Sequence, residues 1–186
     1  MQPDNKHENF MNPGEFNALY EQYHLQLYRT ALLMTGSPQQ AEDAMQDTFV
    51  AACLHIGEVR DKSKIRSWLF RILTNRIHRQ GRQQSREVLS DSSYAPNDRN
   101  DPVESGELPA TDVTRDIERH QIVTEALQKI DQKHRDVLIL YYYSEFSIHE
   151  IAQIQHCLDG TVKSRLYTAR EQMRKELIRS GISEAF

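Results

Sequence analysis

The sequence has few of the residues on which disulfide scaffolds and nucleotide-binding loops depend. Its only cysteines among 186 residues, Cys53 and Cys157, form no CxxC pair, so a disulfide framework is excluded and reduced thiols are expected. The seven glycines form neither a GxGxxG nor a GxxxxGK[ST] motif, which excludes the usual phosphate-cradling loops. No apolar run is long enough to cross a bilayer. The first residues lack the basic and apolar regions of a secretory signal, so we expect a cytoplasmic protein.

Apolar residues are a minority, which limits the size of any core. The chain is 38% hydrophobic with a mean hydropathy of −0.70, and its length suits one ordinary domain or two small ones. His149, His156 and Cys157 have no fourth ligand at finger-like spacing. The order of Ser, His, Cys and carboxylate residues indicates no catalytic constellation. We therefore expect no enzymatic activity, no cofactor, no metal ion and no small-molecule substrate.

The net charge of −4 hides a strong segregation of charge along the chain. Residues 87–118 carry nine acidic against two basic side chains, whereas residues 58–86 carry nine basic against two acidic ones. Residues 163–179 carry six basic against two acidic side chains. Two basic segments therefore flank an acidic connector, a distribution that indicates contact with a polyanion such as nucleic acid.

The acidic connector also has the composition of a flexible linker. It contains three prolines, few large apolar residues and no sustained hydrophobic period. We interpret residues 87–116 as an acidic flexible linker between an N-terminal helical domain, residues 1–86, and a C-terminal domain, residues 117–186. A solvated loop inside a single domain is the alternative, which this length disfavours.

Every sustained hydrophobic period has the helical spacing, so an all-α fold is predicted. Capping residues and prolines mark the starts of the helices, and Gly36 marks a left-handed helix end. The N-terminal helices are predicted to begin at Asn12-Pro13, at Ser37-Pro38 and at about Ser63, the last running to about Gln80. Gly81 is expected to weaken or end that third helix. The C-terminal helices are predicted at Ile117–Ile130, after the cap Asp131, at Ser147–Ile154, and from Asp159 or Gly160 onwards.

Residues 147–169 have the pattern of a helix-turn-helix. A short helix opened by a capping box is followed by a break at residues 155–158 and then by a longer helix. The first exposed positions of that longer helix are Thr161, Lys163, Ser164, Tyr167 and Thr168. Such a helix fits the major groove of DNA, where hydroxyl and cationic side chains bond bases or phosphates and a tyrosine ring packs on a thymine methyl. An ordinary pair of packed helices with a solvated face is the alternative.

Three motifs in this order resemble the extracytoplasmic-function (ECF) sigma factors of bacterial RNA polymerase. Together the similar segments cover about residues 14–83 and 117–178. The motifs are Ala41-Glu42-Asp43-Ala44-Met45-Gln46-Asp47-Thr48-Phe49, Ile65-Arg66-Ser67-Trp68-Leu69-Phe70-Arg71-Ile72 with Asn75, and Ser147–Ala152 followed by Gly160–Arg170. The chain departs from the family pattern at Arg79, where an Asp is common, and at His156, where the turn often has Gly. Histidine tolerates left-handed dihedrals better than most residues.

The resemblance implies which side chains meet each partner of a sigma factor. The residues implied to contact core RNA polymerase are Glu42, Gln46 and Asp47. Those implied to face the −10 promoter element are Arg66, Trp68, Asn75, Arg76 and Arg79. Those implied to face the −35 element are Thr161, Lys163, Ser164, Arg165, Tyr167 and Arg170. For Trp68, core packing that shapes the site from beneath is the favoured interpretation, and the arginines are the better candidates for direct contact.

The resemblance also implies a function. Such a protein binds core polymerase, recognises −35 with its helix-turn-helix, melts −10 with the basic Trp-containing segment, and serves a stress or envelope response. It implies an anti-sigma partner, often membrane-bound, that clasps the two domains. Two alternatives remain open at this point: a helix-turn-helix regulator that acts without polymerase, and an enzyme such as a recombinase. Tight operator binding by the chain alone would favour the first, and DNA cleavage would reveal the second.

Overall fold

The computed structural model describes residues 11–90 and 113–181, with side chains over 11–82 and 121–181. Its helices are α1 Pro13–Thr35, α2 Pro38–His55, α3 Ile65–Ser90, α4 Val113–Gln128, α5 Gln132–Leu138, α6 Ile148–Ile154 and α7 Asp159–Arg179. Two 3₁₀ turns connect α2 to α3, and a π-helical turn at Ile139–Tyr143 extends α5. These two described ranges contain no strand, so the all-α prediction is confirmed. Most of the predicted linker, residues 91–112, lies outside them.

The ends of α1 follow the local signals in the sequence. Asn12 and Glu15 form a capping box, in which the Glu15 amide donates to the Asn12 side chain at 2.9 Å. At the other end Gly36 takes a φ of 71° and its amide donates to the carbonyl of Leu32. A Cβ on Gly36 would lie 2.8 Å from the Gln128 side chain of α4. Gly36 therefore ends α1 and allows α4 to approach it.

The third helix is longer than predicted, because α3 continues through Gly81 to Ser90. A glycine inside a helix costs about 1 kcal/mol relative to alanine, which is a weak penalty. Gly81 does not adopt the left-handed φ that ends α1 at Gly36. The predicted end near Gln80 is therefore wrong. The fourth helix also begins earlier than predicted, at Val113 and not at Ile117, so residues 87–90 and 113–116 of the predicted linker belong to helices.

The helix-turn-helix forms as the sequence indicates. Ser147 caps α6 and shares a capping box with Glu150. His156 lies in the turn with a φ of 50°. It thus adopts the left-handed conformation at the position where the family often has a glycine, and histidine tolerates this conformation better than most residues. Helix α7 begins at Asp159, one of the two predicted starts. Val162, Leu166 and Ala169 of α7 are buried and hold it against α5 and α6.

We expect Ser147→Ala to destabilise the C-terminal domain by about 1 kcal/mol, because it removes a helix cap. The hydrogen bond from the Ser147 hydroxyl lowers the pKa of Glu150 below its ordinary value of 4.5. A carboxyl group whose pKa is lower in the folded protein than in the unfolded chain stabilises the fold when the pH is above its ordinary pKa. This stabilisation is lost as the pH falls through the lowered pKa. Urea unfolding between pH 7 and 3 should therefore show a smaller loss of stability in acid for Ser147→Ala than for the wild type. Equal pH profiles for the two proteins would contradict this.

The two domains pack against each other and share one hydrophobic core. Buried side chains from α1, α2 and α3 are continuous with those from α4 to α7. The Phe70 ring of α3 meets the Phe146 ring at a centroid distance of 4.8 Å, and the buried Thr30 and Ser144 hydroxyls lie 3.2 Å apart. Gln128 of α4 donates to the carbonyl of Leu33 in α1 at 2.9 Å. The described residues thus form a closed arrangement of the two domains.

Candidate partner and nucleic-acid interfaces

Helix α2 presents an acidic and amide face to solvent. Glu42, Gln46 and Asp47 are all exposed, and the Gln46 amide donates to the Glu42 carboxylate at 3.2 Å. Asp47 lies 3.8 Å from the Arg76 guanidinium of α3. The opposite side of α2 is buried in the core. The three residues predicted to bind polymerase therefore lie together on one free face.

Sequence reasoning missed two apolar residues on the same face. Val50 is 60% exposed and Leu54 is 46% exposed, and they follow Gln46 and Asp47 at helical spacing. Large apolar side chains left in water next to polar ones are typical of a binding surface. The sequence could have indicated this exposure, because the helical spacing places Val50 and Leu54 outside the row of α2 residues that are buried in the core.

Helix α3 brings together three of the five predicted −10 residues. Trp68, Asn75 and Arg79 are seven and four residues apart, which places them on one face of an α-helix. Asn75 and Arg79 are exposed and Trp68 is partly buried. Trp68 also packs against the edge of the core. An indole anchored in this way, beside an exposed amide and a guanidinium, offers a surface on which unpaired bases can stack.

Arg66 and Arg76 lie away from that face. Arg66 donates to the backbone carbonyl of Ser144, and its guanidinium lies 4.1 Å from the centre of the Phe146 ring. It is thus engaged by the C-terminal domain. Arg76 points towards Asp47 of α2. The five predicted residues therefore do not form a single surface in the closed arrangement.

A groove of about 390 Å³ lies beside Trp68 at the junction of the domains. Its N-terminal walls carry three basic residues and two acidic ones, and α6 contributes Gln153 and Ile154; the charged residues are Arg60, Lys64, Arg71, Glu58 and Asp61. Asp61 is tied to Ser63, whose hydroxyl donates to it at 2.6 Å, and this bond lowers the pKa of Asp61. The rim is therefore a mixed-charge surface with an excess of cations.

Helix α7 exposes four of the six residues predicted for −35, three of them near its N-terminus. Lys163, Ser164 and Tyr167 point to solvent, and Tyr167 is 72% exposed. They follow the N-terminus of α7, where the helix dipole also favours an anion such as phosphate. A lysine, a hydroxyl and an aromatic ring at the start of a recognition helix can reach base edges and phosphates.

Four of the predicted −35 residues, Thr161, Ser164, Arg165 and Arg170, have contacts within the domain. Arg165 donates to the Gln155 side chain at 2.9 Å, which ties α7 to the turn after α6. Thr161 is partly buried, and its carbonyl accepts from the Ser164 hydroxyl at 2.9 Å. Arg170 is exposed and donates to the hydroxyl of Tyr142 at 2.8 Å. Sequence reasoning also missed Leu158, which is 78% exposed just before α7.

Comparison with known proteins decides the family. Residues 19–87 match the model of Sigma-70 region 2, and residues 120–173 match the model of Sigma-70, region 4. The chain is 30% identical to the ECF RNA polymerase sigma factor SigW of Bacillus subtilis over 87% of its own length and 88% of that protein. It is 32% identical to the ECF RNA polymerase sigma factor SigL of Mycobacterium tuberculosis over 89% and 90% of the two chains. The chain is an ECF RNA polymerase sigma factor.

Two solved structures have the same fold. The sigma factor RpoE of Bartonella quintana, solved with the anti-sigma factor NepR, is 26% identical with a TM-score of 0.72, over 87% of this chain and 96% of that one. CnrH, solved with the cytosolic domain of CnrY, has a TM-score of 0.61 over 90% of both chains at 23% identity. In this sigma factor, region 2 corresponds to α1–α3 and region 4 to α4–α7. None of the helices in its described ranges is long and apolar enough to cross a membrane.

Proposed function

We propose that this sigma factor contacts core RNA polymerase through the exposed face of α2, the −10 element through α3, and the −35 element through α7. The observation that carries the proposal is the arrangement of three free faces on three helices. The α2 face is acidic and apolar, the α3 face combines Trp68 with Asn75 and Arg79, and the α7 face begins with Lys163. The side chains of each face are chemically complementary to its proposed partner.

The side chains of the α3 face can hold unpaired bases outside the duplex. Unstacking a base step costs a few kcal/mol, and stacking on an aromatic side chain returns about 1–3 kcal/mol per base. Trp68 supplies the aromatic surface, Asn75 an amide for a base edge, and Arg79 a cation for the phosphates. Arg66 lies on another side of α3 and becomes available to DNA only when it is released from Ser144 and Phe146.

We also propose that an anti-sigma factor holds this chain inactive until a stress signal arrives. Support comes from the Bartonella quintana relative, which was solved with its anti-sigma factor. The mixed-charge groove beside Trp68, formed by both domains, is a surface that such a partner would cover. Because the groove has an excess of cations, we expect an acidic segment in that partner.

Run-off transcription with core polymerase and a promoter library tests the proposed function. We expect transcripts only when the chain and core polymerase are both present, and we expect Lys163→Ala to reduce promoter occupancy about tenfold through lost contacts to DNA. Lys175→Ala is the matched control, because Lys175 lies about 18 Å further along α7 and should bind like the wild type. Tight, specific binding of DNA by the chain alone would instead identify a regulator that acts without polymerase.

A further inference from the structure

Tyr142 and Arg170 form a contact that the family assignment does not explain. The Nε–H of Arg170 donates to the Tyr142 hydroxyl at 2.8 Å. The guanidinium carbon lies 5.6 Å from the centre of the Tyr142 ring and 5.9 Å from that of Tyr141. The two tyrosine rings meet edge to face at 5.0 Å. One arginine is thus held by a hydroxyl and two aromatic rings at the surface of region 4.

The π-helical turn after α5 builds this cluster. The amide of Ser144 donates to the carbonyl of Ile139, five residues earlier, at 2.9 Å. The wider turn keeps Ile139 and Leu140 buried while Tyr141 is partly buried and Tyr142 is 59% exposed. Single π turns inside helices are frequent at functional sites. An exposed tyrosine adds little to the core, so packing alone does not account for its place beside α7.

The contact fixes the arginine without using up its capacity to bind an anion. A guanidinium has five N–H donors, and the bond to Tyr142 engages the single one on Nε. The four on the terminal nitrogens suit a phosphate, which arginine grips with two parallel hydrogen bonds. A side chain already held in place loses less conformational entropy on binding.

The position of Arg170 on α7 indicates which part of DNA it meets. Lys163, Tyr167, Arg170 and Arg174 are spaced by four, three and four residues, so they share one side of the helix. Arg170 lies about 10 Å beyond Lys163 along the axis. The first turns of a recognition helix read base edges, and a cation further along one side meets the sugar-phosphate backbone that borders the groove.

We propose that Tyr142 is a positioning residue that orients Arg170 towards a phosphate beside the −35 element. The proposal rests on the proposed binding of region 4 to −35. It assigns Tyr142, which no family motif singled out, a part in the affinity of the holoenzyme for DNA. Because phosphates carry no sequence information, it predicts an effect of equal size on every promoter that the holoenzyme recognises.

A double-mutant cycle in the holoenzyme tests this. Promoter affinity is measured against salt concentration for the wild type, Tyr142→Phe, Arg170→Ala and the double variant. Tyr142→Phe keeps the ring and removes the hydroxyl, and we expect it to weaken binding about threefold to fivefold. Arg170→Ala should weaken binding about tenfold and reduce the slope of log K against log salt by about 0.9, the value for one phosphate contact. In the Arg170→Ala background, Tyr142→Phe should have no further effect.

Two controls separate positioning from a purely structural role. Tyr143→Phe removes the same hydroxyl one residue later and should bind DNA like the wild type. The NMR signal of the Arg170 Nε–H should be protected from exchange in the free protein, and Tyr142→Phe should abolish that protection while leaving the thermal unfolding midpoint unchanged.

Three results would overturn the proposal. These are equal effects of Tyr142→Phe and Tyr143→Phe, additive effects of Tyr142→Phe and Arg170→Ala, and an unchanged salt slope for Arg170→Ala. If Lys163→Ala still weakens promoter binding in that case, the proposed function stands and only the role of Tyr142 fails. If no variant of α7 changes promoter binding, the proposed −35 interface itself fails.

Discussion

Replacing His78 with alanine is expected to shift the two domains towards an open arrangement without unfolding either of them. His78 of α3 lies 2.5 Å from the Asp136 carboxylate of α5, whose side chain is fully buried. The other carboxylate oxygen of Asp136 has no hydrogen-bond partner among the described residues. Without His78 a buried carboxylate loses its partner across the interface, and opening the interface is the simplest way to return it to water.

The size of the effect follows from the burial of the pair. Leaving a buried polar group without its hydrogen-bond partner costs about 1–3 kcal/mol, and more for a charged group. The His78 side chain is 32% exposed, which reduces this cost. Burial lowers the pKa of Arg135 and the nearby Asp136 carboxylate opposes part of that lowering, so this carboxylate keeps a guanidinium close by without His78. We therefore expect a shift towards the open arrangement of about 2 kcal/mol, or roughly thirtyfold.

The two native cysteines provide the measurement. Cys53 lies in region 2 and Cys157 in region 4, so spin labels on both report the distance between the domains by pulsed electron resonance. His78→Ala should broaden and lengthen that distance distribution. His55→Ala is the matched control, because His55 pairs with Glu58 in solvent within one domain. Asp136→Asn added to His78→Ala should restore the closed distances in part, since it removes the buried charge. Identical distributions for His78→Ala and the wild type would contradict the prediction.

The local parts of this fold could be predicted because their causes lie within a few residues of each other. The Asn12 and Ser147 caps, the left-handed Gly36 and the positive φ of His156 each depend on neighbours along the chain. A helix end at Gly81 was one exception, because a glycine that keeps helical dihedrals costs too little to stop a helix. The start of α4 was another, because it lies at Val113 and not at the predicted Ile117. The helix starts marked by a capping residue or a proline were predicted best.

The arrangement of the domains could not be predicted, because it depends on contacts between residues far apart in sequence. The Arg66 guanidinium on the Phe146 ring and the His78–Asp136 pair join residues 80 and 58 positions apart. The resemblance to the sigma-factor family, carried by the motif around Ile65–Ile72, made Arg66 a member of the −10 group. Only the tertiary structure shows that the closed arrangement engages it elsewhere. The faces of α2 and α7, which depend on helical spacing alone, could be predicted in large part.

The exposed apolar part of α2 leads to the prediction with the largest effect on function. We expect Val50→Asp to reduce affinity for core polymerase about thirtyfold or more, which corresponds to a hot-spot loss of at least about 2 kcal/mol. An apolar side chain at the centre of an interface is desolvated on binding, and a carboxylate in its place would be buried without a partner. Because Val50 is 60% exposed in the free chain, its replacement should change the stability by less than about 0.5 kcal/mol.

Competition binding to core polymerase, followed by run-off transcription, measures this effect. Leu25→Asp is the matched control, since Leu25 is 49% exposed on α1 and lies outside the proposed interface. Both variants introduce one carboxylate at an exposed apolar position, so a general effect of charge or solubility would appear in both. Loss of affinity in Val50→Asp alone would locate the polymerase contact on α2. Wild-type affinity in Val50→Asp would place it elsewhere, and Glu42, Gln46 and Asp47 would then be a solvated helix face.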